Sequence, residues 1–303
     1  MTPLVAAVLG MGIVHGKGRR GRDLATPMSR PLPEPDLGDL AERFPGGKLR
    51  RVPRCVRMGL LAACRALASA GDPETRSMGL VIGSAHCAVA TSLDYMDSLL
   101  DEGPRLSSPT AFSHSVCNVA TGLVGMLLDI RGPGHAVSQF GLSFAGALTA
   151  AATILRAGRA DRVLAGVVEE VDPRFVALCP DIFGRKIPLA EGDVPPPGGD
   201  VPPAEGAVVL CLARPDDAPS APLLEVRWNP QNEDIEGPLL RSGADAPGPQ
   251  GRRMEAAYGR TPMAQALDAC IALDGPWDVP VVSCLHVADS SASALVLARR
   301  SAP

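Results

Sequence analysis

The sequence predicts an α/β fold with sheets covered on both faces, on three grounds. Short apolar runs of strand length alternate with amphipathic segments of helix length. Two of the strand-length runs, MGLVIG at Met78–Gly83 and the run Arg162–Val168, are nearly continuous in apolar character, the pattern of strands buried on both faces. The chain has 303 residues, 46% apolar and 20% charged, enough for a substantial core in one large domain or two ordinary ones.

Each element follows from local signals. Leu4–Val14 is apolar, carries β-branched residues and ends near glycines, so it reads as the first strand. Residues 15–53 are rich in Arg, Pro and Gly and read as a long surface insertion. Cys55–Ala70 has helical amphipathicity and stops at Gly71, a C-cap signal. Met78–Gly83 is a short buried strand, and Leu93–Leu100 a brief helix stopped by DEGP. Ser115–Leu128 reads as a mostly apolar helix in which Gly122 and Gly125 permit close packing. Ala136–Phe140 is expected as a strand, Gly141–Ala157 as a buried helix, and Arg162–Val168 as another strand. A Pro/Gly-rich loop spans Ile187–Gly206, and GAVVLCLARP follows as a strand.

Two later pieces echo earlier ones. PMAQALDACIALDGPWDVPVVSCL repeats the helix–Asp–strand order of MGLLAACRALASAGDPETRSMGLVIGSA, and SASALVLARR repeats AEGAVVLCLARP. The expected organisation is a duplicated α/β unit, residues 1–215 and an abbreviated 216–303, around one joint core.

Composition removes several classes of function. A net charge near −4 argues against nucleic acid as the main partner, and the basic run HGKGRRGR at His15–Arg22 is local. The eight cysteines are scattered without a CxxC pair or zinc spacing, as small apolar residues of a reducing compartment, so no metal, no cofactor and a cytoplasmic location are expected. The N-terminus lacks a basic start and a cleavage site. Ala136–Leu155 is long enough and uncharged enough for a membrane span, but its Ser, Gln, Thr and glycines and an internal turn favour a buried soluble helix.

The strand-to-helix junction AVSQFGLSFAGAL is the point at which many enzymes hold a nucleophile, because free N–H groups and the helix dipole converge there. Together with SPTAFSHSVCNVATG, IRGPGHAVSQFGLSFAGALTAAATILRAGRADRVLAGVVEE and SCLHVADSSASALVLARR, it resembles the β-ketoacyl synthases of the thiolase superfamily. The resemblance implies a layered αβαβα fold with an abbreviated second half. Eight residues on from Pro133, or seventeen back from Gly158, the nucleophile position falls on Gly141. Arg260 takes a catalytic histidine's position, and the segment of the other histidine is missing from residues 216–253. Glycine and arginine supply neither nucleophile nor general base at neutral pH.

The chain is therefore most similar to the chain-length factors of type II polyketide systems, the inactive partners of ketosynthases. The compact factors of highly reducing, polyene-forming systems, including aryl polyenes, are the nearest in form. That likeness implies a heterodimer with a catalytic ketosynthase subunit, sheets paired across the dimer, a shared acyl tunnel, and acyl carrier protein as substrate donor. It places His86, Cys87 and Val89 at the deep end of the tunnel, and Phe112, His114, Cys117 and Asn118 near the partner's tunnel. Gln139 and Phe140 join these as interface or tunnel candidates, although the residue pattern alone makes Gln139 a buried polar strand residue. A rival reading is a divergent synthase, decarboxylase or hydrolase acting on acyl thioesters through Ser143, with His286 and Asp289 completing a triad, since GLSFAG lies one residue from the G-x-S-x-G elbow.

Overall fold

The computed structural model describes residues 4–24, 33–179, 203–228, 239–242, 252–253, 262–274, 281–286 and 293–299. In chain order the elements are β1 (Leu4–His15), α1 (Gly21–Leu24), α2 (Asp39–Arg43), α3 (Arg54–Ser69), β2 (Gly79–Gly83), α4 (Val89–Glu102), α5 (Pro109–His114), α6 (Val119–Leu127) and β3 (Gly134–Val137). Then follow α7 (Ser143–Arg156), β4 (Arg162–Glu169), α8 (Pro173–Leu178), β5 (Gly206–Ala213), β6 (Leu223–Trp228), β7 (Leu239–Ser242), β8 (Arg252–Arg253), α9 (Ala264–Asp274), β9 (Val281–His286) and β10 (Ser293–Arg299).

The strands form a ten-stranded mixed sheet in the order β3-β2-β4-β5-β1-β6-β10-β9-β7-β8. Its centre is the antiparallel pair β1–β6. Outward from β1 the next two pairings are antiparallel and the following two parallel. Outward from β6 the same sequence of pairings recurs. The two sides mirror one another, strand for strand.

That mirror corrects one of the echoes. β10 sits where β5 sits, as the sequence match of SASALVLARR with AEGAVVLCLARP requires. β9, however, occupies the place of β4 and not of β2, so α9–β9 corresponds to α7–β4 rather than to α3–β2. The helix layer gives the reason. α7 and α9 share one buried core with the inner strand faces, in which Phe144, Leu155, Leu267 and Ile271 are buried. α3 and α6 belong to a second core on the other face, around Met58, Leu60, Leu80 and Val124. Helix–Asp–strand order recurs in both units and does not by itself say which face the helix covers.

β1 and α3 approach closely because of two glycines. A Cβ at Gly12 would lie 1.9 Å from the Ala62 carbonyl oxygen, and one at Gly10 would lie 2.3 Å from that of Ala66. No larger residue fits between this strand and this helix. The 15–53 segment, expected as a surface insertion, is in its described part stapled to both helix layers: α1 packs on α9, where the Arg22 amide donates to Asp274 at 3.2 Å, and residues 39–52 are tied to α3. Leu24 and Leu40 are buried. Arg65 donates to the Ile13 carbonyl at 2.7 Å and to Asp39 at 3.0 Å, while Arg57 donates to the carbonyls of Leu49 and Val52 at 2.8 Å.

Other boundaries also move. The helix expected over Leu93–Leu100 runs from Val89 to Glu102. The one expected over Ser115–Leu128 is α6 alone, starting four residues later at Val119, and a short helix not expected, α5, precedes it across a break at residues 115–118. Ser108 begins α5 by accepting from the Ala111 amide at 3.1 Å, ahead of a Pro at the first helical position. The strand expected at Ala136–Phe140 lies earlier, at Gly134–Val137, because Pro133 and Gly134 are already in register with β2.

Candidate functional site

The parallel strands β2 and β3 end side by side, and each is followed by a turn and a helix. After β3 the chain turns at Gln139 and enters a 3-10 turn over Phe140–Leu142 before α7 begins at Ser143. Phe140 has φ +47°, in the left-handed region that costs a bulky residue about 1–2 kcal/mol. Gly141 is half-buried in the centre of this turn. The strained elbow is thus present, but at the position expected for the nucleophile there is no side chain.

Ser143 sits just inside α7 and is 2% exposed. Its hydroxyl donates to the Phe140 carbonyl at 2.7 Å and accepts from the Gln139 amide at 3.0 Å. Both functions of the hydroxyl are spent on closing the turn, and any attack through Ser143 first requires that turn to open. His286 ends β9, while Asp289 and Arg260 lie outside the described residues. The strand β2 is drawn tightly against the start of α7, since a Cβ on Gly83 would lie 2.7 Å from the Ser143 carbonyl oxygen. Gln139, expected as a buried strand residue, is exposed: the strand has ended two residues earlier, and the chain has turned outward.

The turn after β2 is built quite differently. Ser84 donates its amide to Val137, continuing the ladder, and its hydroxyl accepts from the Cys87 amide at 2.8 Å. The amides of Ala85 and His86 both reach the Glu169 carboxylate, the second at 3.3 Å. The Ala90 amide donates to Glu170 at 3.0 Å, and that carboxylate also accepts from the Cys55 amide. The His86 ring stands edge-on to Phe175, with centroids 4.9 Å apart, and its Nδ1 is 3.6 Å from Glu169. Cys87 adopts φ +58°, a second strained non-glycine residue. Val89, at the start of α4, is buried.

The structure brings several of the sequence-derived candidates together. The Cys87 thiol meets Cys117 and the Ser138 hydroxyl, and burial first, then Cys117, pushes it up to about 12, so it is held as a thiol. Phe112 packs on Tyr95 with ring centroids 5.3 Å apart. Ser92 donates to the Ala88 and Ser115 carbonyls at 2.9 and 3.3 Å, tying α4 to the α5–α6 break that carries Cys117 and Asn118. His114 is half-buried, and Cys117 and Asn118 are exposed. A groove of about 400 Å³ runs between α6 and β3, lined by Asn118, Thr121, Met126, Ile130, His135 and others.

Met126 in the lining of this groove is 68% exposed, and the segments that flank α6 and β3 in the chain carry three more exposed large apolar residues, Phe112, Val116 and Phe140, the last at 66%. β3 is the edge of the sheet, and Gly134, His135 and Ala136 are exposed. Edge strands that remain open beside large apolar side chains are prone to pair with another chain.

Sequence reasoning missed the carboxylates that hold the 84–90 turn, Glu169 and Glu170. The signal was available, since two acidic residues close a run of buried apolar ones at the end of β4, and buried acids need dedicated partners.

Strand order, the α7 layer and the elbow together define a thiolase-like ketosynthase fold. Residues 18–179 match the family model of the beta-ketoacyl synthase, N-terminal domain. The chain belongs to the beta-ketoacyl synthase family. It is 33% identical over 125 residues to 3-oxoacyl-[acyl-carrier-protein] synthase 2 of Rhizobium meliloti (strain 1021), a stretch covering 40% of this chain and 30% of that protein. The matched stretch thus spans under a third of that relative's length. Among solved structures it is similar in fold to the ishigamide ketosynthase/chain length factor, with TM-score 0.73, 14% identity and coverage of 99% of this chain and 100% of that one. It is also similar to the ketosynthase ApeO in complex with its chain length factor ApeC from Xenorhabdus doucetiae, with TM-score 0.62, 16% identity and coverage of 97% and 99%. Among the described residues no helix is long and apolar enough to cross a membrane, and no group of three or more His, Cys, Asp or Glu is arranged to hold a metal.

Proposed function

We propose that this chain is a non-catalytic chain-length factor, acting beside a catalytic ketosynthase subunit in a type II polyketide pathway of the highly reducing, polyene-forming kind. One observation carries the reading: the elbow after β3 keeps its strained backbone while the nucleophile position is Gly141. A catalytic synthase needs a thiol there, and glycine leaves only the scaffold. Arg260 at a histidine position agrees with this. The family's curated relative is named for an acyl-carrier-protein substrate, and two solved neighbours are titled as ketosynthase and chain-length-factor pairs. By the same reading acyl carrier protein delivers the substrates, the setting is the cytoplasm, and residues 1–215 and 216–303 are the two halves of one packed unit.

The open edge of β3 and the apolar surface at Phe140, Met126, Phe112 and Val116 serve as the partner's docking face. The acyl chain ends against the turn at His86, Cys87 and Val89 and the segment Phe112–Asn118. In this role Gly141 has a positive use, since a small residue leaves room where two subunits meet. The test is co-purification with an intact ketosynthase, followed by size-exclusion chromatography. A tight one-to-one complex is expected, because obligate interfaces are large and apolar. A stable monomer that ignores every cognate synthase contradicts the proposal.

A further inference from the structure

Four carboxylates converge behind the turn that follows β2. Glu169 faces the amides of Ala85 and His86 and the His86 ring. Glu205 is paired with Arg54, whose Nε lies 3.1 Å away, and also accepts from the Val171 amide. Asp172 is paired with Arg174 at 2.8 Å. Glu170 is 5% exposed, and its hydrogen-bond partners are backbone amides, those of Ala90 and Cys55, rather than a cation. These amides belong to the first turns of α4 and α3. Neither helix has a capping side chain of its own, since their N-cap residues are Ala88 and Pro53. Glu170 therefore caps two helices at once, and one of them begins at the end of the 84–90 turn.

We propose that Glu170 is a positioning residue whose protonation state sets how firmly the 84–90 turn is held, and through it the depth of the acyl pocket. The second clause rests on the chain-length reading above; the first does not. The groups around Glu170 give the direction. Arg54 and the Cys55 thiol face it from α3, Glu205 from the segment before β5, and Asp172 from the segment after β4. Glu169 precedes Glu170 at the end of β4, and His86 and Cys87 lie on the adjoining turn. The charge of Arg54 is already engaged by Glu205. An ionised Glu170 is thus a buried anion beside two other anions, eased by amides, two helix N-termini and an Arg54 that Glu205 already engages.

Burial, the largest cause, with Glu205 and Asp172 adding to it, pushes Glu170 from 4.5 up to about 7 against the pull of those amides. A local opening that lets water reach the carboxylate returns it towards its ordinary value. The sign follows by linkage: the closed turn binds the proton more tightly, so protonation holds it closed and ionisation loosens it. From pH 6 to pH 8 the opening equilibrium rises about tenfold and then levels off.

The test is hydrogen exchange of the peptide covering residues 84–92 in the full chain as it purifies, with rates corrected for the intrinsic pH dependence of amide exchange. Wild type is expected to show about tenfold more opening at pH 8 than at pH 6. Glu170→Gln keeps an acceptor without a charge and is expected to stay closed and flat with pH. Glu170→Ala removes the acceptor and is expected to open at both. Wild-type exchange that does not change with pH, or a pH dependence that survives in Glu170→Gln, overturns the latch. Product profiles of the reconstituted complex at both pH values form a separate arm. If exchange responds to pH and product length does not, the latch stands and the chain-length role of this turn falls.

Discussion

The turns after β2 and β3 begin from neighbouring parallel strands, and each contains one strained non-glycine residue, Cys87 in the first and Phe140 in the second. Their surroundings differ. The first is closed by buried side-chain acceptors, with Ser84, Glu169 and Glu170 taking the amides of Cys87, Ala85, His86 and Ala90. The second has the Ser143 hydroxyl as its side-chain closure, beside a backbone bond from the Leu142 amide to the Gln139 carbonyl, and presents Phe140 outwards. The same backbone strain thus occurs in two differently built turns. What distinguishes the two is whether the strain holds a group inside the protein or displays one on its surface.

The largest expected effect on binding tests the displayed side. Phe140→Asp places a charge in the proposed contact and is expected to weaken the complex with the synthase by about 30-fold or more, the loss typical of a central apolar anchor. Because Phe140 is exposed and Asp tolerates the left-handed backbone better, the isolated chain should melt no lower than wild type. Titration by surface-bound synthase gives the first number, and thermal melting the second. Unchanged affinity places the interface elsewhere.

The enclosed side should respond to pH instead. With Glu170 raised from 4.5 to about 7, its contribution to stability is fully present below pH 4.5, declines between there and pH 7, and is constant above. The decline amounts to at most about 3 kcal/mol. Urea unfolding of wild type and Glu170→Gln across this range should show the slope only in wild type. The β3 turn offers the contrast. Ser143→Ala removes two hydrogen bonds to the backbone and is expected to cost about 1–2 kcal/mol, with no dependence on pH.

Smaller in free energy, but direct about function, are changes at the tunnel candidates. Cys87→Trp and Cys117→Trp should shorten the products of the reconstituted pair by about one two-carbon unit, since a packed contact with the synthase, which covers Cys117 in the proposed complex, does not absorb the added volume. Phe112→Ala should lengthen them. Profiles identical to wild type, with the complex confirmed intact, remove these positions from the ruler.

Much of this was legible in the sequence, for identifiable reasons. β4 and β5 are continuous apolar runs and α3 a regular amphipathic pattern, so their places followed directly. That Gly141 lies in the turn between β3 and α7 was legible from the strand-length run before it and the helical pattern after it. The break between α5 and α6 was not legible, since Ser115–Asn118 lacks Gly or Pro and the break is secured by Ser92 from a distant helix. Glu169 and Glu170 were passed over for a similar reason. Their partners, Ala85, His86, Ala90 and Cys55, donate backbone amides, and nothing in a residue's name records where its amide points.

The central claim is that the elbow at Gly141 is scaffold and the chemistry belongs to a partner. The direct measurement is product formation from acyl and malonyl thioesters on acyl carrier protein, by this chain alone, by an intact ketosynthase alone and by the two together, with intact-mass analysis of this chain in each mixture. The account predicts elongated product of defined length only when both are present, and this chain unmodified throughout, with Gly141→Cys failing to restore condensation on its own. An acyl adduct on this chain, at Ser143 or elsewhere, together with turnover in the absence of the synthase, would contradict it.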